Sequence, residues 1–390
     1  MNKKSEKPIR KILLTTDTVG GVWTYGIELS RALIPYGIEI FMASMGNPLS
    51  QKQRQAVRQC ENVQIFESRF KLEWMNDPWK DIRAAGEWLL ELEDLIDPDI
   101  VHLNQMAFGR LPWQNPALVV GHSCVYSWFE GVGKTPGSDW ERYRREVAAG
   151  LRAAPVVVAP SRAMLKSLKK FYGPFQQEKV IYNGRFAGDF YPAEKEPLIF
   201  AMGRLWDQAK NIGVLEKIAG QLPWPVQVAG DNAHPEGGKI QFDGLKLLGK
   251  IDQRTLAQHL ARSAIFALPA HYEPFGLSAL EAGLSGCALV LGDIPSLREI
   301  WQDAALFAAP DDHQSLQHKI NFLIENPGQL KRYSARARRQ ALLYSRQKMA
   351  GNYLDLYQAL MAAQKSGTGR RKSRTPAKNK KKILEKRIPV

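Results

Sequence analysis

The sequence predicts an α/β protein built from two doubly wound, parallel-sheet domains facing a central cleft. Three observations carry this expectation. Short apolar, β-branched runs alternate with helix-length segments through most of the chain, as in a parallel sheet with crossover helices. That alternation pauses in a polar, proline-containing stretch, "GDFYPAEKEP" (residues 188–197), and then starts again. At 390 residues the chain exceeds one ordinary core and fits two domains of the usual size.

The elements follow in order. "KILLTTD" (11–17) reads as a strand that ends in a turn at Gly20 and Gly21, and the helical pattern "VWTYGIELSRALIPYG" comes next. "IEIFMAS", "DIVHLN", "ALVVGHS" and "PVVVAPS" continue the first strand series. Beyond the polar stretch, "LIFAMGR", "PVQVAGD", "KLLGK", "AIFALPA" and "CALVLGD" form the second. From Asn321 to about Gln364 apolar residues recur at three- and four-residue spacing, which predicts helix with one break at Pro327 and Gly328. Two such domains place a ligand cleft at the carboxyl ends of their strands.

Composition narrows the class. Hydrophobic content of 44% and charged content of 24% are those of a soluble globular protein. Cys60, Cys124 and Cys287 are scattered and form no CxxC pair, which argues for a reducing compartment over a disulfide scaffold. The basic N-terminus has an apolar run interrupted by Asp17 and no small-residue cleavage site, so it does not read as a signal peptide. No apolar run is long enough to span a bilayer, and the expected location is the cytoplasm. Of the formal net charge of +15, residues 365–390 hold +10, with eleven Lys and Arg against Glu385. This segment is too poor in apolar residues to fold alone and reads as a solvated tail. Anionic lipid, at the inner face of a membrane, and nucleic acid are the partners its charge would suit.

Three motifs carry chemistry. In "GRLWDQAKN" (203–211) a strand ends in a tight turn, and Arg204 and Lys210 follow at the cleft edge. A guanidinium clamping oxygens through paired donors, beside an ammonium point charge, suits a diphosphate, although both residues also fit an ordinary cationic surface. In "VAGD" (228–231) Asp231 is read as a turn residue satisfying local backbone. In "HYEPFGLSALEAGLSG" (271–286) Pro274 holds Glu273 extended, and Gly276 opens a helix whose first amides favour an anion. Glu281 lies about one turn into that helix, inside an apolar run, where a carboxylate can accept hydrogen bonds from vicinal hydroxyls such as those of a ribose.

The E-x7-E pair of "EPFGLSALEA", with "GRL…KN", "VAGD", "VIYNGR" and "GGVWTYGIELSRAL", resembles the retaining glycosyltransferases of family 4, which have the GT-B fold of two Rossmann-like domains. The resemblance spans roughly residues 10–360. It implies 1–190 as an acceptor-binding domain, 191–345 as a nucleotide-sugar-binding domain, 346–364 as a helix returning to the first domain, and 365–390 as the basic tail. By the same resemblance, Arg204, Lys210 and backbone amides near Phe275, Gly276 and Leu277 would hold the donor diphosphate, and Glu281 its ribose. Gly20 and Gly21 would approach the diphosphate or sugar closely, Glu273 would sit beside the transferred sugar, and His122 near it. Members of the family are generally metal-independent, so no metal or other cofactor is expected. "GGVWTY" is similar to the glucan-synthase branch, which favours glucose over other sugars on a UDP or GDP carrier.

Two features depart from the pattern. Asn211 stands where many relatives have glycine, and the first domain carries long loops. One of these holds Trp128, Phe129 and Trp140, which suit either a stacking platform for an acceptor or core packing. The acceptor class, whether glycan, lipid or small molecule, is not legible. The rival readings are a nucleotide-sugar epimerase of the same fold, a catalytically silent binding subunit, and a nucleic-acid-associated protein working through its tail, with nucleic acid disfavoured. A sugar phosphorylase would need a lysine-bound pyridoxal signature, which the sequence does not show.

Overall fold

The computed structural model describes residues 8–233 and 237–367. The basic tail therefore lies outside the described residues beyond Gly367. The first domain holds strands β1 (Lys11–Asp17), β2 (Glu39–Met45), β3 (Val63–Glu67), β4 (Ile100–Leu103), β5 (Ala117–Val120), β6 (Val157–Ala159) and β7 (Glu178–Val180). They form one sheet in the order β3-β2-β1-β4-β5-β6-β7. The second holds β8 (Glu196–Met202), β9 (Val226–Ala229), β10 (Lys246–Gly249), β11 (Ser263–Leu268), β12 (Ala288–Gly292) and β13 (Leu306–Ala308), in the order β10-β9-β8-β11-β12-β13. Neighbouring strands are parallel in both sheets. The chain order reverses beside β1 and beside β8, the switch points at which open parallel sheets form ligand crevices.

Strand alternation builds the cores. Ile12 and Leu14 face one side of the first sheet with Ile40 and Met42, while Leu13 faces the other with Ala43 and Met45. In the second sheet Phe200, Phe266 and Leu289 line one face and Ile199, Ile265 and Val290 the other. β11 is buried along its whole length, which is why "AIFAL" reads as an unbroken apolar run. Hydroxyl and carboxylate caps start some of the crossover helices. Ser161 accepts from the Met164 amide to begin Arg162–Tyr172, and Asp252 accepts from Thr255 to begin Gln253–Arg262.

The C-terminal helical run has one break more than the sequence predicts. Pro327 is the first residue of the helix Pro327–Ala341, where its missing N–H costs nothing. A second break follows at residues 342–345, where the chain leaves the second domain. Capped by Ser345, the helix Arg346–Lys365 inserts Met349, Ala350, Tyr353 and Tyr357 into the core of the first domain. This return runs beside the outward crossover. The Arg185 amide donates to the Tyr344 carbonyl at 3.1 Å, and the Arg346 amide to the Arg185 carbonyl at 3.1 Å. No helix among the described residues is long and apolar enough to cross a membrane.

Candidate active site

Loops from the carboxyl ends of both sheets meet across the cleft. After β8, Gly203 turns the chain and the Arg204 Nη2 group pairs with Asp207 Oδ2 at 2.7 Å. Asp207 is buried, and its other oxygen accepts from the Ala209 amide at 3.0 Å and from the Trp128 indole, in the opposite domain, at 2.8 Å. Burial works against the charge on Asp207, but Arg204, Lys210 and the indole outweigh it and hold the carboxyl below its ordinary range. The Nε of Arg204 is buried without a partner, so this guanidinium keeps donor capacity beyond Asp207.

Lys210 and Glu273 form the second pair, at 2.6 Å. The other oxygen of Glu273 accepts from the Gly276 amide at 3.0 Å, and the Ser296 hydroxyl donates to the Glu273 carbonyl. Gly276 has φ of 92° and is the N-cap of the helix Leu277–Leu284. That left-handed conformation favours glycine and aims the helix start at the cleft. The Phe275 side chain turns away into the core, edge-on to Tyr344 at 5.6 Å, leaving its backbone at the turn. Asn211, with φ of 55°, occupies the same left-handed region that asparagine tolerates. Its side-chain amide donates to the carbonyls of Pro269 at 2.9 Å and Pro310 at 2.8 Å, tying three loops together. Glycine could not supply that brace.

The first domain answers with Gly20 and Gly21. Gly20 has φ of 89°, and a Cβ added there would lie 3.0 Å from Arg204 Nη1. One added at Gly21 would lie 3.6 Å from Leu277 Cδ1. The bare backbone of β1's loop thus faces both the cationic residue and the helix start. His122 follows β5 and is half-buried, its Nε2 2.8 Å from Asn104 Oδ1 and its ring edge-on to Tyr25 at 4.4 Å. Burial lowers its pKa to about 3. Ser123 beside it reaches the Tyr272 hydroxyl of the second domain at 3.0 Å.

Glu281 lies deeper. Only 6% exposed, its carboxylate meets Arg185 Nε at 2.9 Å, and Arg185 Nη1 meets Glu28 Oε1 at 3.0 Å. Burial raises the pKa of Glu281, and the Arg185 charge opposes that rise. The triad joins a helix of each domain through the crossover residue between them. Asp231 accepts from the Ala233 amide at 3.0 Å, the local turn bond of its sequence reading. Trp128, Phe129 and Trp140 form an edge-to-face row, Trp128 to Phe129 at 5.2 Å and Phe129 to Trp140 at 5.8 Å. The indole N–H of Trp128 is spent on Asp207, so it braces the two domains.

Sequence reasoning left out Arg185, Asp207, Asn104, Asp17 and Glu73. Asp17, at the end of β1, is pushed by burial to about 7, with the Val19 amide and Arg204 opposing and Glu73 adding to the rise. Glu73 is likewise pushed to about 7 by burial while accepting from the amides of Met106 and Ala107. Between pH 4 and 7 the folded state holds protons on these groups that the unfolded chain releases, so their contribution to stability falls as pH rises. His102 and His122, lowered to about 3, act in the opposite sense and lose stability as pH falls from 6.5. Asp17→Asn, which keeps an oxygen for Val19, is expected to raise stability at pH 8 by as much as about 4 kcal/mol and to change little at pH 4. Thermal unfolding at the two pH values checks this, and equal shifts at both would refute it.

A separate cavity of about 520 Å³ opens between Glu130–Gly133 of the first domain and Trp206, Gln208, Phe242, His271 and Asp311 of the second. None of Arg204, Lys210, Glu273 and Glu281 lines it. Among the described residues no group of three or more His, Cys, Asp and Glu side chains is placed to hold a metal ion.

Comparison with known proteins gives a consistent answer. The family model for group 1 glycosyl transferases matches residues 189–340, and that for glycosyltransferase family 4 matches residues 19–185. A glycogen synthase of Mycobacterium tuberculosis is 37% identical over 99 residues, which is 25% of this chain and 24% of the synthase. The matched segment thus spans about a quarter of that curated relative's length. A sucrose-phosphate synthase from Thermosynechococcus elongatus superposes with a TM-score of 0.75 at 18% identity, over 91% of this chain and 100% of that one. The Anabaena protein HepE, solved with UDP-glucose, superposes with a TM-score of 0.68 at 17% identity, over 92% and 99% of the two chains. Those two likenesses show the two-domain GT-B fold. The two family models cover consecutive stretches that together account for most of the chain, and the protein belongs to the group 1, family 4 glycosyltransferases.

Proposed function

We propose that the cleft binds a nucleotide-diphosphate sugar and transfers its sugar, with retention of anomeric configuration, to a hydroxyl-bearing acceptor. One observation carries this reading: Arg204, Lys210 and the start of the helix Leu277–Leu284 converge on one side of the cleft, against the bare backbone of Gly20 and Gly21 on the other. Breaking a sugar–phosphate bond leaves negative charge on the departing diphosphate and positive character at the anomeric carbon. Two cations and a row of helix amides suit the first, and preorganised groups of this kind supply a large share of catalysis. Glu273, already bonded to Lys210, stands beside the sugar, where it orients hydroxyls or steadies the developing positive charge.

No metal is required for charge neutralisation with this set, and none is proposed. UDP-glucose is the favoured donor. Support comes from "GGVWTY" and from the names of similar proteins, a glycogen synthase and a HepE structure holding UDP-glucose. Glu281 is assigned the ribose hydroxyls, which it would share with Arg185. Domain closure through Trp128 and Asp207 would exclude water and align the acceptor, which docks on the first domain. The test is release of nucleoside diphosphate from a panel of UDP-, GDP- and ADP-sugars, with the anomeric configuration of any product read by NMR. Release from UDP-glucose above the others supports the reading. A product of inverted configuration refutes retention, and no release from any donor, with or without glycan acceptors, refutes the transferase assignment.

A further inference from the structure

We infer that Asn104 is a positioning residue that fixes the proton of His122 on Nε2 and leaves its Nδ1 as a hydrogen-bond acceptor facing the cleft. The role rests on the sugar-transfer reading above, since the partner it implies is a hydroxyl of a carbohydrate substrate.

Asn104 directly follows β4, where its backbone amide donates to Thr15 Oγ1 at 2.8 Å and its side-chain Nδ2 donates to the Thr15 carbonyl at 2.6 Å. A carbonyl can only accept, so the NH2 end of the amide faces Thr15 and the orientation of the side chain is settled by chemistry. The atom 2.8 Å from His122 Nε2 is therefore the amide oxygen, which also can only accept. Nε2 must carry the hydrogen. Neutral imidazole has one N–H, so Nδ1 holds a free lone pair. The ring stays neutral near pH 7, because burial depresses its pKa to about 3.

The surroundings agree on direction. Tyr25 packs edge-on against the imidazole at 4.4 Å and limits rotation of its plane. The Tyr25 hydroxyl lies 3.0 Å from His102 Nε2, and His102 Nδ1 lies 2.7 Å from the Tyr357 hydroxyl on the returning helix. Among the described residues His122 has no nitrogen that is buried without a partner. Nδ1, which no protein group bonds, is thus the accessible one, beside the point where Ser123 meets Tyr272 across the cleft. An acceptor nitrogen held in this way selects a substrate oxygen that bears a hydrogen. It rejects an ether or carbonyl oxygen in the same place.

The experiment is nitrogen-15 NMR of the full chain labelled at histidine, at pH 7, with His122→Gln identifying the His122 signals. The expected spectrum is that of a neutral, Nε2-protonated imidazole. Asn104→Ala is expected to give a mixture of tautomers and to lower kcat about tenfold while changing the donor KM by no more than about twofold. A wild-type His122 that is Nδ1-protonated or cationic at pH 7 overturns the inference, and that reading stands even if Asn104→Ala fails to fold. The spectrum is independent of turnover. Failure of the transferase reading, seen as no nucleotide release from any sugar donor, is therefore a different result from failure here.

Discussion

Arg204→Ala and Lys210→Ala are each expected to lower kcat for sugar transfer by about 10²–10³, equivalent to about 3–4 kcal/mol of lost transition-state stabilisation. The reasoning is electrostatic. Arg204 is fixed by Asp207 and Lys210 by Glu273, so neither cation must reorganise when the phosphate departs. Removing either also frees an acid that it had neutralised, next to an anionic leaving group. Lys210→Arg should rescue only in part, because a planar fork does not replace a compact ammonium. Steady-state kinetics beside thermal melting of each variant separates lost chemistry from lost fold. A folded Arg204→Ala enzyme with kcat within threefold of wild type would remove the diphosphate assignment.

Arg185→Met is expected to destabilise the protein by about 3–5 kcal/mol, the usual cost of stripping the partner from a buried charge. Arg185 is 3% exposed and contacts Glu281 at 2.9 Å and Glu28 at 3.0 Å, both buried. Its loss leaves two carboxylates inside the molecule with Arg346, 3.8 Å from Glu28, as the nearby cation. Adding Glu28→Gln and Glu281→Gln to Arg185→Met should recover much of the loss, since no uncompensated charge then remains. Thermal and urea unfolding of the single and triple variants give the comparison. A cost below about 1 kcal/mol for the single change is the range of an exposed ion pair and contradicts the buried triad.

How much of this was legible depended on where each feature lies. The central strands announce themselves because both faces are buried: β5, β8, β11 and β12 contain the continuous apolar runs "ALVV", "LIFAM", "AIFAL" and "ALVL". Three of the four sheet edges do not, the exception being β10, legible as "KLLGK". β3, β7 and β13 are short edge strands with partial exposure, and "EKV" of β7 carries two charged residues in three. Loop residues such as Arg204, Lys210, Gly276 and Glu273 could be placed because each follows a strand by a few positions. The Arg185 triad could not. Glu28, Arg185 and Glu281 are separated by more than ninety residues at each step, and pairing over such distances leaves no mark on local sequence. Asn104 carried no signal either, since its partners are Thr15 on β1 and His122 in the loop after β5, neither of them local to it. Asn211 was visible as a departure, and its positive φ and double brace show why asparagine serves there.

The central claim is that the facing loops form a nucleotide-diphosphate cleft, and calorimetric titration with UDP and GDP tests it without needing the sugar or the acceptor. Wild-type protein should bind at least one of the two, with affinity falling tenfold or more in Arg204→Ala. A wild-type protein that binds neither, or an Arg204→Ala variant that binds as tightly as wild type, would contradict it.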